Sequence, residues 1–530
     1  MIDIEWEHGK RWQDEHRTRW RDAREICNIK ARIPTDPLTD IRNRNAALGQ
    51  LFDGLGRRSR RVAILGSTWS QADLFPNRAI VIDTDKDGVV WFLKPEMLRP
   101  EHANNASRFV LAAGGTKLSA LMDALDAKGM SLMTAGSHKG QSLAGAIATG
   151  THGSFFNEAG LETHVRGMLF VAGTDHTHWI EDPANPVLSP SFAAQLGGRG
   201  HDHRFKDIIV HLGGLGYLNV VLLEVVPRFT LSWAKACVPL APSWWDHVAA
   251  GNFAAATGSI GNGSPVFYEL TFDPNAGPDA DVMQSVYWRD GSEPAPAHKA
   301  ASPGNAQHYL TQALDDDVDA AHRRVLTGES SDDAAEAAGV GGLINVPKLV
   351  FAAFRKSLAN GGGASSAPVS LRQITEEWKP RKIGPLRIET FNAAICVDRA
   401  RLREAMQAGF EIAREYDPHF VYTIRFAKRS PAGMGFLRFD NNAVINVDGL
   451  MKKFPFSDSD DAARGFCEAL RDRGIPYSMH WGKDIPSNAA KIATDFGSAA
   501  QRWKDARVAL VPKRLRRNME SPNLVHWGLD

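Results

Sequence analysis

The chain has few cysteines and no two of them close together. Cys27, Cys237, Cys396 and Cys467 are the four among 530 residues. Without a CxxC pair, neither a zinc knuckle nor a disulfide framework is expected. An excess of one charge is also missing: 62 Lys and Arg stand against 61 Asp and Glu, so no positive field exists to hold a nucleic acid. No stretch approaches the roughly 20 apolar residues needed to cross a bilayer, and no membrane span is expected. The opening residues, MIDIEWEHGKRWQDEHRTRWRDARE, are charged from the outset and lack the apolar run of a secretory signal. A cytoplasmic protein is the resulting expectation. Two nucleotide fingerprints are absent as well, GxGxxG and GxxxxGK[ST]. Gly214-Leu215-Gly216 has no third glycine, and Gly54-Leu55-Gly56 runs into Arg57-Arg58-Ser59. A Rossmann NAD site and a P-loop ATPase are thereby excluded.

What is present is an ordinary globular balance, 43% apolar and 23% charged residues, in a chain too long for a single core. Residues 1 to about 25 read as a charged helix punctuated by Trp6, Trp12 and Trp20, and a second helix is expected from about Asp40 to Asp53. Short apolar runs at Arg61–Leu65, Ala79–Asp83, Gly88–Leu93 and Arg108–Ala112 read as strands, followed by a helix over Lys117–Lys128. Further strands are expected at Val165–Gly173, Asp207–Leu212 and Leu218–Val226. Residues 273–306, 326–342 and 360–368 are loop-like, rich in Pro, Ala, Asp and Gly. Regular pattern resumes at Leu386–Cys396, with a helix over Arg401–Tyr416 and strands at Phe420–Lys428, Ala443–Asp448 and Ile475–Met479. This alternation is an α+β pattern.

The most informative segment is Gly136–Gly153, GSHKGQSLAGAIATGTHG. Its glycines interleave with Ser137, Gln141, Ser142, Thr149, Thr151 and His152, so backbone N–H groups, hydroxyls and an amide can approach a ligand closely. Leu143, Ala146 and Ile147 embed the run in apolar sequence, which fits a buried cradle for a pyrophosphate and a flat ring better than a surface loop.

Four segments in order resemble the FAD-linked oxidases of the vanillyl-alcohol oxidase/p-cresol methylhydroxylase superfamily, especially its aldonolactone and alditol oxidase branch. They are Arg61–Asp73 (RVAILGSTWSQAD), the cradle, Leu212–Phe229 (LGGLGYLNVVLLEVVPRF) and His480–Lys483 (HWGK). The resemblance implies a two-subdomain p-cresol-methylhydroxylase-type FAD-binding domain (46–229) after a charged helical extension (1–45). A cap on an antiparallel sheet (230–470) and a segment returning to the flavin (471–530) would follow. The implied FAD contacts are Gly66, Ser67, Thr68, Trp69 and Ser70 in the first loop. Gly136, Ser137, Gly140, Gln141, Ser142, Gly145, Thr149, Gly150, His152 and Gly153 of the cradle are added, and Gly216.

Many relatives carry, in the first loop, a histidine bonded to the flavin. Here Trp69 stands at that position and Thr68 at a glycine, so non-covalent FAD is expected. The resemblance implies catalytic roles for His480, polarising or deprotonating a substrate hydroxyl, for Lys483, stabilising negative charge on reduced flavin, and for Arg425. Relatives pair such an arginine with a glutamate two residues earlier. Thr423 occupies that place, leaving Arg425 in want of an anion.

The implied reaction is oxidation of a small-molecule CH–OH group, with O2 or another acceptor reoxidising the flavin. An aromatic or sterol-like alcohol competes with a polyol or lactone, because Tyr422, Phe426, Phe436 and Phe439 gather in the cap segment. A flavin-binding protein without turnover is the remaining alternative. No metal site is expected, although His176-Thr177-His178 and His201-Asp202-His203 each form an HxH.

Overall fold

The computed structural model describes residues 2–13, 20–198, 204–291, 304–306, 308–309, 346–376, 390–416, 419–450, 452–453, 457–484 and 486–530. Three sheets organise them. The first contains β1 (Ile2–His8), β2 (Arg11–Gln13), β3 (Trp20–Ala31), β4 (Val62–Leu65) and β5 (Ala79–Lys86), in the order β1-β3-β5-β4 with β2 beside β3. β3, β5 and β4 run parallel, while β1 pairs antiparallel with β3. The opening residues are therefore strands and not the expected helix. Their period-two pattern, Ile2, Ile4 and Trp6 alternating with Asp3, Glu5 and Glu7, is disguised by charge. Those charges pair across the strands, Glu5 with Lys30 and Asp3 with Arg32, as half-exposed sheet faces favour.

The second sheet is antiparallel. It holds β6 (Val90–Phe92), β7 (Phe109–Ala113), β8 (Val165–Gly173), β9 (His176–Glu181) and β10 (Tyr217–Glu224), ordered β9-β8-β10-β7-β6. The expected strand at Asp207–Leu212 is instead a helical turn, Phe205–Ile208, followed by a loop. A short apolar run buried on all sides has no periodicity to separate the two.

Between the first two sheets lies helix α1 (Pro37–Arg57). Asp36 caps it, its carboxylate accepting from Thr39 N–H at 2.9 Å, and Pro37 sets the first turn. Ile41, Leu48, Phe52 and Leu55 form its buried face. The same face carries Arg44, fully buried, which donates to both oxygens of Asp87 (2.7 and 2.8 Å) and to Asn219 at 2.9 Å. Tyr217 O–H also donates to Asp87. One ion pair thus ties the helix to the turn after β5 and to β10.

The third sheet has eight antiparallel strands. In chain order these include β11 (Thr230–Pro239), β12 (Pro265–Phe272), β13 (Asp281–Asp290), β14 (Thr390–Asp398), β15 (Phe420–Lys428), β16 (Asn441–Leu450) and β17 (Tyr477–Met479). Across the sheet the order is Val369–Ser370, β11, β13, β12, β15, β16, β14, β17. Tyr422, Ile424 and Phe426 of β15 point into a core shared with the helices Leu402–Tyr416 and Ser459–Asp472. By strand alternation Thr423 and Arg425 face the opposite side.

The architecture is the α+β arrangement expected, two smaller sheets followed by a large antiparallel sheet. The loop-like stretch 326–342 and residues 292–303 lie outside the described residues. Within the stretch 273–306 read as a loop, Asp281–Asp290 are instead strand β13, with Val282, Gln284 and Val286 on one face, all buried. Among the described residues, no helix is long and apolar enough to cross a membrane.

Replacing Arg44 by Met strands the Asp87 carboxylate in the interior. A loss of about 3–5 kcal/mol is expected, read as a lowered denaturation midpoint.

Candidate functional site

The glycine run folds as a loop, then a short helix, Leu143–Thr149, ended by Gly150 at φ 74°. Loop Gly66–Ser70 lies directly against it: a Cβ on Gly66 would sit 2.0 Å from Ser142 Oγ. Any side chain there would push the first loop off the cradle.

Between these segments and the cap sheet opens a cleft of about 1700 Å³, counting its mouth. Gly66, Ser67, Thr68, Trp69, Ser70, Gly136, Ser137, Gln141, Ser142, Gly145, Thr149, His152 and Gly216 line it, as do Arg425, His480 and Lys483. Three sequence-based assignments fall elsewhere. Gly150 packs on Phe436 as the helix end, Gly153 backs onto the Ala135 carbonyl, and Gly140 borders a separate hollow behind the first loop with Lys117 and Asp85. Glycine spacing alone does not tell a lining residue from a turn residue.

His480–Lys483 continues β17, whose Met479 pairs with Ile395 of β14. Trp481 anchors the turn, buried, with its indole N–H donating to Met434 O at 2.6 Å. The Gly482 carbonyl accepts from Gln71 N–H at 3.0 Å, closing this turn onto the first loop.

Gly482 N–H donates to His480 Nδ1 at 3.0 Å, so the ring proton is assigned to Nε2. Burial, with His152 and Lys483 nearby, holds the His480 pKa well below its ordinary value. A neutral ring with Nε2–H presents a hydrogen-bond donor at that nitrogen. His152 has the complementary tautomer. Its Nδ1 lies 2.9 Å from Gly153 O, leaving a lone pair on Nε2, and burial lowers its pKa to about 3. The two rings are 5.8 Å apart. Burial likewise lowers the Lys483 pKa, to about 8, an effect Arg425 reinforces and Asp448 opposes.

Arg425 does not want for an anion. Its Nε donates to Glu269 at 2.6 Å, and a second guanidinium nitrogen donates to Ser137 Oγ at 2.9 Å. Glu269 sits directly across from it on β12. The carboxylate missing from position 423 is supplied by the neighbouring strand, a pairing that spacing within one strand cannot reveal. Thr423 instead contacts Thr271, hydroxyl to hydroxyl at 3.2 Å.

The structure adds lining residues that sequence reasoning missed, chiefly Asn392, Asn446 and Asp448 from β14 and β16, and His138 and His211. The alternation Asn446-x-Asp448 was the available signal. Tyr422 and Phe426 belong to the core behind the sheet, and Phe436 packs on His480 at 4.6 Å. The aromatic cluster read in the cap is mostly core. His176 and His178 stand 6.1 Å apart ring to ring. His201 and His203 lie outside the described residues, among which no group of three or more His, Cys, Asp or Glu is placed to hold a metal ion.

The cleft fits a flavin dinucleotide. Its floor is glycine backbone, and the buried Gln141 Oε1 receives no hydrogen bond from the described residues, leaving an acceptor for a ligand donor. Residues 57–181 match the FAD binding domain family, a span containing the first loop and the whole cradle. The chain therefore carries an FAD-binding domain.

Among curated relatives, it is 24% identical over 172 residues to the D-arabinono-1,4-lactone oxidase of Yarrowia lipolytica, covering 32% of this chain and 28% of that one. To the alditol oxidase of a Streptomyces species it is 27% identical over 178 residues, 33% of this chain and 38% of the relative. The chain thus matches only about a third of those relatives' length. In three dimensions a solvent-stable cholesterol oxidase superposes with a TM-score of 0.67 at 15% identity, covering 99% of this chain and 98% of the other. This likeness concerns the fold.

Two outcomes follow from the first loop. Thr68 holds φ 54°, a left-handed conformation costly for a β-branched residue. Thr68→Gly should raise stability by about 1 kcal/mol, measured by thermal denaturation of the holoprotein. Trp69 offers no imidazole for a flavin bond, so acid precipitation should release all the FAD. Flavin fluorescence retained on the washed polypeptide contradicts this.

Proposed function

We propose that the chain is an FAD-dependent oxidoreductase that oxidises a CH–OH group of a neutral, polyhydroxylated alcohol. The observation that carries this reading is the polar wall the cap sheet turns toward the cradle: Arg425, Asn392, Asn446 and Asp448, joined by His480 and Lys483. In this reading residues 46–229 hold the cofactor, 230–470 form the cap and 471–530 close the cleft, with β1–β3 extending the cofactor domain's first sheet.

Gly66–Ser70, Gly136, Ser137, Gln141, Ser142, Gly145 and Gly216 would hold FAD, which when bound supplies a two-electron acceptor. His480 holds the substrate oxygen by donating from Nε2. The lone pair on His152 Nε2 is the acceptor that the imidazole pair offers for the hydroxyl proton. Lys483 places a positive charge in a buried wall, where it counts for more than in water. Trp481 and Phe436 exclude water behind the two rings.

The charges support a neutral substrate. Arg425 is matched by Glu269, and Lys483 faces Asp448, so no net charge is left over for an ionic ligand. Alcohol oxidation agrees with the relatives named as alditol and lactone oxidases, with O2 or another acceptor completing the cycle. A sterol-like alcohol is less well supported, because Tyr422 and Phe426 turn away from the cleft. The test is anaerobic bleaching of the flavin absorbance by a panel of alditols, lactones, aromatic alcohols and sterols. Bleaching by none of them favours a flavin-binding protein without turnover.

Lys483 is charged below its pKa of about 8 and loses that charge above it. The kcat/KM profile should therefore fall on its alkaline limb near that pH. Lys483→Arg should push the limb to higher pH, since a guanidinium stays protonated.

A further inference from the structure

Three adjacent strands bring four side chains into one bay of the cleft. β16 contributes Asn446 and Asp448, β14 contributes Asn392, β15 contributes Arg425, and each lines the cavity. The registers fix the arrangement: Asp448 lies across from Asn392 on one side and from Val421 on the other. Asn392 Nδ2 donates to one Asp448 oxygen. Asn446 Nδ2 is used inward, donating to Thr423 O at 3.0 Å.

Resting on the functional reading above, we propose that Asp448 is the specificity-determining residue of this bay, accepting hydrogen bonds from substrate hydroxyls away from the reacting carbon. The argument is one of supply and demand. Arg425 is committed to Glu269 and Ser137, and His480 and Lys483 present donors. Among the described cap-strand residues of this wall, Asp448 is the one carboxylate not hydrogen-bonded to Arg425. A carboxylate accepts through two oxygens with about four lone-pair sites; Asn392 accounts for one and the Thr423 hydroxyl for another. Burial holds the Asp448 pKa above the usual carboxylate value, against the opposing pull of Arg425, Lys483 and the Thr423 hydroxyl.

A hydroxyl-bearing chain satisfies such a group. An alkyl chain leaves it desolvated and unpaired, and sites built to bind a hydroxyl reject the analogue lacking it by large factors. Asp448 thereby reads O–H donors, not carbonyls.

Ribitol and 1-pentanol test this, since they share five carbons and a terminal CH–OH but differ in the other hydroxyls. The holoenzyme should prefer ribitol in kcat/KM. In Asp448→Asn that preference should shrink at least tenfold, chiefly through a higher KM for ribitol, with the flavin spectrum retained. Asp448→Ser, which also removes the charge, should do the same, and serves if the asparagine variant does not fold. An unchanged ribitol-to-pentanol ratio in a folded variant overturns this assignment alone, as does an equal loss for both alcohols. Turnover of neither alcohol by the flavin-loaded parent protein overturns the functional reading, and this assignment falls with it.

Discussion

Arg425 joins parts of the chain almost 290 residues apart. Its guanidinium donates to Glu269 on the adjacent cap strand and to Ser137 in the glycine cradle. Ser154, just beyond the cradle, accepts from Phe426 N–H at 2.9 Å and donates to the Tyr268 carbonyl. These contacts cross from cofactor fold to cap at the level of β12 and β15. They fix how far the polar face of the cap stands from the glycine floor, and so they set the width of the cleft. A buried arginine paired on one side and hydrogen-bonded on the other can take this role because removing any partner leaves a desolvated charge.

The charges deeper in the cleft obey the same rule. His138, His152 and His480 are all held neutral, with burial the leading cause in each. Positive charge is instead concentrated on Arg425 and Lys483, and Glu269 and Asp448 stand beside them. The result is a wall rich in hydrogen-bonding groups with little net field. Such a wall discriminates ligands by the direction of donors and acceptors more than by attraction from a distance.

Much of this was legible in the residues. The cradle announced itself by composition, because close approach of backbone to a ligand demands glycine in a way that few other constraints do. Gly66 lies beside it, and the turn at His480–Lys483 lines the same cleft. What stayed hidden depended on pairing between strands. Glu269 reaches Arg425 through the register of β12 and β15, and a sequence holds no direct record of register. Asp448 and Asn392 entered the site for the same reason. β1 was misread because charged residues on its outer face drowned the apolar alternation of Ile2, Ile4 and Trp6. Their oppositely charged partners lie more than twenty residues away on β3 and just beyond it.

The turn carrying Gly482 has a consequence for how the protein acquires its cofactor. Its carbonyl closes onto Gln71, and Met519 also lines the cleft, whereas the cradle lies within the first third of the chain. A ribosome emitting residues in order completes the cradle long before either closing element exists. While the chain is being made, the glycine floor is an open shelf from which a dinucleotide can come and go. Loading becomes durable only once residues 480–519 have emerged and folded back. Premature termination anywhere in the cap should therefore yield a fragment with the full FAD-binding motif that nevertheless fails to retain flavin.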